Sequence, residues 1–221
     1  MSKFRYTGLK DGEIRIIELQ PGGDSDKVQG SLKVVPVKKP IFEWYSALSY
    51  NWGPESQPRR TIVLDDQQLE VRQNLFEALQ QLRYLDRCRR LWIDVICLNQ
   101  EDSSEKQRQI PLMSLISSKA KTVEIWLGTG EGNGELGLCS LASGELEAIA
   151  TLEIVCAVID LLQLSWFSRV WVIQELTLAG NGVAFVNCGS ARVTLDELSL
   201  GITEIYDTLN LQGASLRGFV P

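Results

Sequence analysis

A carboxylate and a hydroxyl, Glu175 and Ser168, stand seven residues apart in Ser165-Trp-Phe-Ser-Arg-Val-Trp-Val-Ile-Gln-Glu-Leu176. On an α-helix, at about 100° per residue, they share one line beside Trp171. Trp166, Phe167, Val170, Val172, Ile173 and Leu176 spread apolar surface over nearly every other direction, so most of such a helix is buried. A carboxylate in that setting is either paired in the core or faces a cleft, because an unpaired buried charge costs on the order of several kcal/mol.

Two further groups carry polar chemistry at the ends of apolar segments. Tyr45-Ser-Ala-Leu-Ser-Tyr50 runs into Asn51-Trp52-Gly53-Pro54, and Leu91-Trp-Ile-Asp-Val-Ile-Cys-Leu98 carries Asp94 and leads into Asn99-Gln100-Glu101-Asp102. A cleft uniting Ser49, Tyr50, Trp52, Asp94, Ser168, Trp171 and Glu175 would offer hydroxyls, carboxylates and aromatic walls. That mixture suits a ribose or other sugar-like group, with a flat ring stacked on Trp52 or Tyr50. Each element also has a structural reading. Asp94 can bond backbone amides or Arg169, Trp52-Gly53-Pro54 can simply end a strand, Asn99-Gln100 can cap a loop, and Glu175 can belong to a buried ion pair. Cys97, inside an apolar run, reads as a buried, inert thiol. Gly128-Thr-Gly130-Glu-Gly132 lacks the Lys-Ser/Thr of a phosphate-binding loop and reads as a flexible connection.

The elements that must position these groups follow from periodicity and turn chemistry. Residues 13–19 and 29–37 form two strands of a hairpin around Pro21-Gly-Gly-Asp-Ser-Asp26. Strands follow at Tyr45–Tyr50 and Thr61–Leu64. Leu75, Ala78, Leu79 and Leu82 predict a helix over about Arg72–Asp86. Leu91–Leu98 reads as a strand covered on both faces. A helix capped by Ser103 or Ser104 runs to about Lys119, with Pro111 either kinking it or marking its true start. Thr122–Leu127 is the next strand, and residues 128–144, with six of the eighteen glycines, read as a mobile loop. Helices over 144–162 and 165–179, a strand at Val183–Asn187 and a capping box at Thr194-Leu-Asp-Glu197 complete the chain. Alternating strands and helices predict an α/β fold with a mostly parallel central sheet, and ligands beyond the carboxyl ends of its strands. The division expected is a β-hairpin extension over 1–40 and one larger domain over 41–221.

Composition excludes several classes. The 221 residues contain no histidine, which removes Ser-His-Asp and Cys-His catalysis and the commonest metal ligand. Five cysteines without a CxxC pair read as reduced thiols, giving neither a disulfide framework nor a zinc site, so no metal is expected. A net charge of −6 leaves no excess of cations for nucleic acid. Met1–Tyr6 lacks the apolar core of a signal peptide, and no run approaches the ~18 apolar residues of a membrane span. A soluble, cytoplasmic protein is expected.

Five blocks in order resemble the HET domain, the heterokaryon incompatibility domain of filamentous fungi. They are Tyr45–Gly53, Leu91–Gln100, Gln109–Ala120 with Met113, Val123–Gly128 and Trp166–Glu175. The resemblance covers about residues 41–190, with Ser117 standing where the family commonly has tyrosine. It implies a role in nonself recognition and programmed cell death, and a flavodoxin-like fold related to TIR domains, a three-layer sandwich. Trp171-Val-Ile-Gln-Glu-Leu176 is similar to the TIR helix whose glutamate is catalytic in NAD-cleaving members. The resemblance therefore implies Glu175 as catalytic residue of an NAD+ glycohydrolase, with NAD as substrate and no other cofactor. A carboxylate beside the ribose would hold its hydroxyls and stabilise the developing oxocarbenium charge. Nicotinamide is already a cationic leaving group, so no histidine acid is needed. Asp94 and Ser49 would position ribose or diphosphate, and Trp52 would wall the ring. The alternative is a non-enzymatic, TIR-like interaction module that signals by self-assembly. Either reading implies a homo-oligomer on activation and an upstream sensor protein as partner.

Overall fold

The computed structural model describes residues 1–37, 45–130, 132–143, 152–169 and 183–217. The chain divides into two compact units, Met1–Trp126 with Arg169–Ala184, and Leu127–Ser168 with Phe185–Pro221.

The first unit is built on seven strands: β1 Glu13–Leu19, β2 Gln29–Pro36, β3 Ser46–Tyr50, β4 Arg59–Leu64, β5 Gln67–Arg72, β6 Arg89–Trp92 and β7 Thr122–Trp126. They lie side by side in the order β5-β4-β2-β1-β6-β3-β7. The expected parallel sheet is present where β3 runs between β6 and β7, with Ser46 opposite Leu91 and Thr122. The hairpin β1–β2 pairs along its whole length, from Glu13↔Pro36 to Leu19↔Gly30. Its first strand also joins β6 antiparallel through Ile17↔Leu91, so the N-terminal hairpin shares the sheet and makes it mixed. The architecture is α/β, as expected.

Why these segments form strands is plain in most cases. β1 buries Ile14, Ile16, Ile17 and Leu19 completely or nearly so. Its turn into β2 is tied by Asp26, whose Oδ2 accepts the Gly23 N–H at 2.8 Å. β5 has no counterpart among the expected elements. Its alternating Gln67-Gln-Leu-Glu-Val-Arg72 is mostly polar because it sits at the end of the strand order, where polar side chains discourage further pairing. A two-residue turn, Asp65-Asp66, joins it to β4 with φ of 48° and 60°. Left-handed residues match the twist of a tight hairpin, and aspartate tolerates them better than most. Helix α1 (Gln73–Leu82) buries Leu75, Phe76, Ala78, Leu79 and Leu82 against Ile62, Leu64, Leu91 and Trp126.

Leu91–Leu98 is not one strand. β6 ends at Trp92, and Asp94–Cys97 forms a single helical turn, α2. Asp94 starts that turn and its Oδ1 accepts the Val95 N–H at 2.7 Å, while Cys97 N–H returns to the Ile93 carbonyl at 2.7 Å. A buried turn of helix is apolar all round, so its composition cannot be told from that of a buried strand. The next helix starts from Asp102 rather than Ser103 or Ser104, through Glu105 N–H to Asp102 Oδ1 at 3.0 Å. It runs as α3 (Ser103–Gln109), a 3₁₀ turn at Ile110–Leu112 containing Pro111, and α4 (Met113–Lys119). Proline's missing N–H produces the expected interruption.

The second unit corrects two expectations. Residues 134–142, expected in a mobile loop, form helix α5 (Gly134–Ala142). Two of its glycines, Gly134 and Gly137, are buried, and a Cβ on Gly137 would collide with the Ala157 carbonyl of α6 (Leu152–Leu162). These glycines permit close helix contact; they do not mark a flexible tract. Ser165–Ser168, expected to begin a helix, form a turn instead. The rest of that expected helix, with Trp171 and Glu175, lies outside the described residues. β8 (Val183–Cys188) and β9 (Ala191–Thr194) make a hairpin around Gly189, whose φ is 58°. The capping box expected at the start of α7 (Leu195–Arg217) is formed: Thr194 N–H donates to Glu197 Oε2 at 2.6 Å, and Glu197 N–H returns to Thr194 Oγ1 at 3.1 Å. Among the described residues no helix is long and apolar enough to cross a membrane.

Candidate functional site

β3 and β6 end on the same side of the sheet, and the loops beyond them converge on a cavity of about 400 Å³ within the first unit. Ala47, Leu48 and Ser49 of β3, Trp92 of β6 and Val123 of β7 line its sheet side. The strand-end loops add Asn51, Trp52, Asp94, Leu98 and Gln100. Lys106, Ile110, Met113, Ser114 and Ser117 come from one side of the α3–α4 run, and Arg169 completes the lining. The lining therefore combines aliphatic and aromatic groups with two cations, one carboxylate and two amides.

Trp52 and Asp94 meet across the two strand ends. The Trp52 Nε1–H donates to Asp94 Oδ2 at 2.9 Å, and the Arg72 guanidinium stacks 5.9 Å from the Trp52 ring centroid. Position and orientation of the indole are thus set by a charge-assisted hydrogen bond on one side and a cation–π contact on the other. The backbone beneath it is fixed as well. Asn51 Oδ1 accepts the Gly53 N–H at 2.9 Å, closing an Asx turn, and Gly53 takes φ 71°, which favours glycine. Asn74 Nδ2 holds the Asn51 carbonyl at 2.5 Å, while Asn74 Oδ1 accepts the Trp126 Nε1–H at 2.9 Å. On the β6 side, Gln100 Nε2 donates to the Asp94 carbonyl at 3.0 Å.

Of the residues singled out from sequence, Ser49, Trp52 and Asp94 come together in this cavity. Tyr50 does not line it. It is buried in the core cluster, where burial raises its phenol well above the ordinary value and keeps it protonated. The Asp94 charge adds to that rise, while Arg72 and Arg169 oppose it. Ser168 is exposed in the second unit, its hydroxyl donating to the Ser165 carbonyl at 2.8 Å. Glu175 and Trp171 are outside the described residues. Arg169, six residues before Glu175, donates to the Tyr50 carbonyl at 2.6 Å at the end of β3. Cys97 is buried, its Sγ accepts the Ile93 N–H at 3.3 Å, and burial pushes its thiol to about 12. That excludes a thiolate nucleophile at neutral pH.

Sequence reasoning missed Trp92, Lys106, Ile110, Met113 and Ser114 as cavity residues. Lys106, Ile110, Met113 or Ser114, and Ser117 recur every three to four residues along the α3–α4 run, so a helical-face analysis of 103–119 would have grouped them. No group of three or more His, Cys, Asp or Glu among the described residues is placed to hold a metal ion.

A family model described as heterokaryon incompatibility protein (HET) matches residues 45–175, more than half of the chain. The chain is also 26% identical over 222 aligned residues to heterokaryon incompatibility protein 6, OR allele, of Neurospora crassa. That match takes in 77% of this chain but 32% of the relative, so the chain spans about a third of the length of the curated relative it matches. No solved structure matches.

Proposed function

Because this chain belongs to the heterokaryon incompatibility (HET) family, we propose that it is an effector of fungal nonself recognition and programmed cell death, acting by hydrolysing NAD+ to nicotinamide and ADP-ribose. The observation that carries the reading is the Trp52–Asp94 pair at the carboxyl ends of parallel strands, beside a half-apolar cavity with two cations. Its volume of about 400 Å³ lies toward the lower end of the ~300–1,000 Å³ typical of ligand sites, enough to enclose one half of a dinucleotide. Apolar walls suit a flat base, Asp94 suits ribose hydroxyls, and Lys106 with Arg169 suits phosphate.

In the proposed reaction the N-glycosidic bond breaks, and nicotinamide leaves with the bonding pair as a neutral molecule. Water supplies the hydroxyl to the anomeric carbon and releases a proton. A carboxylate facing the ribose stabilises the positive charge that develops there. The family resemblance gives that role to Glu175, in a segment whose preceding residue Arg169 lines the cavity. The reading includes a cytoplasmic setting, assembly into a homo-oligomer on activation and an upstream sensor. The test is purified protein incubated with NAD+, with product nicotinamide separated and quantified. Glu175→Ala and Glu175→Gln should each lower the rate by at least about a hundredfold. Unchanged rates in both variants would remove Glu175 from the mechanism.

One feature of the second unit favours the non-enzymatic reading, signalling by self-assembly. Helix α6 exposes Leu152, Cys156, Ile159 and Leu162 at intervals of three to four residues. A stripe of that kind is suited to pack against a second copy. Under this reading Ile159→Glu abolishes concentration-dependent association in sedimentation, and NAD+ is never turned over.

A further inference from the structure

We propose that Trp92 and Lys106 read the ligand of this cavity, which is a mononucleotide or the mononucleotide half of a larger nucleotide. The inference rests on the nucleotide reading above and assigns the groups that would select within it.

Trp92 lines the cavity yet is only 4% exposed. Its Nε1 is buried and has no hydrogen-bond acceptor among the described residues. The other two indoles whose bonds are known in this unit are both satisfied, Trp52 by Asp94 and Trp126 by Asn74. A buried donor left unpaired is costly, and a native core satisfies nearly all of its donors. A flat ring carrying a carbonyl or a ring nitrogen, seated among Trp92, Val123 and Met113, supplies the missing acceptor.

Lys106 lines the same cavity. It is half-buried, and its ammonium has no carboxylate within 4 Å among the described residues. Its helix neighbour Glu105 is turned away into a buried pair with Arg15. A strongly hydrated point charge on a flexible stem suits a phosphate, which tolerates varied approach directions. An unpaired donor and a cation on one cavity define a ligand that carries an acceptor-bearing ring and a phosphate. The base of the ligand can be pyridine or purine, since both carry such acceptors.

The experiment titrates the intact chain with nicotinamide mononucleotide and with AMP, each beside its phosphate-free nucleoside. At least one mononucleotide is expected to bind and to move the Trp92 indole N–H resonance downfield. Its nucleoside is expected to bind about tenfold more weakly, and Lys106→Met should erase that difference. Trp92→Phe, checked for folding by thermal melting, should weaken the same ligand by about tenfold. Which mononucleotide responds tells which half of a dinucleotide the cavity holds. An unmoved Trp92 resonance, a phosphate preference that survives Lys106→Met, or no binding by either mononucleotide overturns the proposal. NAD+ turnover measured on the same preparations separates the two readings. Turnover with binding unchanged in both variants defeats this inference alone. The expected binding pattern without turnover defeats only the hydrolase.

Discussion

Arg15 on β1 grips Glu105 on α3 at 2.6 and 2.9 Å, with both side chains 2% exposed. The same guanidinium donates to the Cys97 carbonyl at 3.0 Å and to the Thr7 carbonyl, and Glu105 Oε1 accepts the Asn99 N–H at 2.8 Å. The N-terminal hairpin thereby fastens both ends of the Cys97–Glu105 connection, which carries Gln100 into the cavity wall. Truncating either partner strands a charge in the core, so Arg15→Ala should cost about 3–5 kcal/mol in urea unfolding. Replacing both, as Arg15→Met with Glu105→Leu, should recover much of that loss. Equal instability of single and double variants would show that the pair contributes through packing alone.

Acid should act through the same carboxylate. Burial by itself raises the Glu105 pKa, but the Arg15 hydrogen bonds, the Asn99 N–H and the Arg15 charge outweigh it and leave the value lowered. The unfolded chain takes up this proton near the ordinary value of about 4.3. The pair's stabilisation is therefore fully present above that pH and is lost as pH falls through the lowered folded value. Unfolding free energy followed from pH 7 down to 3 should fall more shallowly in Glu105→Gln, from a lower starting point. Parallel curves for the two proteins would assign the acid sensitivity to other carboxylates.

At the cavity, Asp94→Asn keeps an acceptor for the Trp52 indole but removes the charge. Its melting temperature should stay within a few degrees of the parent, while under the proposed hydrolase function nucleotide binding and NAD+ turnover fall at least about tenfold. Trp52→Phe keeps an aromatic wall and removes the tether, which should cost roughly 0.5–1.5 kcal/mol of stability. Full activity in Asp94→Asn would return this residue to the structural role that its bonds to Val95 and Trp52 already explain.

Thiol reactivity offers a direct check on the packing. Cys88, Cys139 and Cys156 are exposed, and Cys97 and Cys188 are buried. Burial, with the Glu135 charge, pushes the Cys188 thiol to about 11, and burial takes Cys97 to about 12. Labelling at pH 8 should modify the three exposed cysteines in the native protein and the two buried ones only on unfolding. Rapid native labelling of Cys97, mapped by peptide mass, would contradict its buried place at the end of α2.

Gly137 tests whether Gly134–Ala142 is a packed helix. Any Cβ there meets the Ala157 carbonyl, so Gly137→Ala should destabilise by about 1–3 kcal/mol. Gly8, with nothing near its hypothetical Cβ, serves as the control, and Gly8→Ala should stay within about 0.5 kcal/mol. If residues 134–142 were a loop, both substitutions would be equally mild.

Periodicity and turn chemistry were enough to read β1, β2, β3, β4, β7, β8 and α1 in the chain, because each has a strong apolar period or an obvious stop. The capping box at Thr194 and the break at Pro111 were equally local, since each depends on residues within one turn of helix. β5 escaped because an edge strand needs no apolar face, and α2 because a buried helical turn has the composition of a buried strand. The glycines of α5 misled because close helix contact and chain flexibility select the same residue.

The sequence alone determined the α/β class, the absence of histidine chemistry, the inert character of Cys97 and the family blocks running from Tyr45 to Glu175. It also picked out Ser49, Trp52 and Asp94, polar groups at the ends of apolar segments. What it left undecided for Trp52 and Asp94, strand end or site, depended on contacts between residues 42 positions apart. Only the tertiary structure could turn Tyr50 into the core, leave Ser168 on a surface turn, and bring Trp92 and Lys106 to one cavity. Those outcomes follow from strand register and helix facing, which are set by the packing of the whole unit and not by the local run of residues.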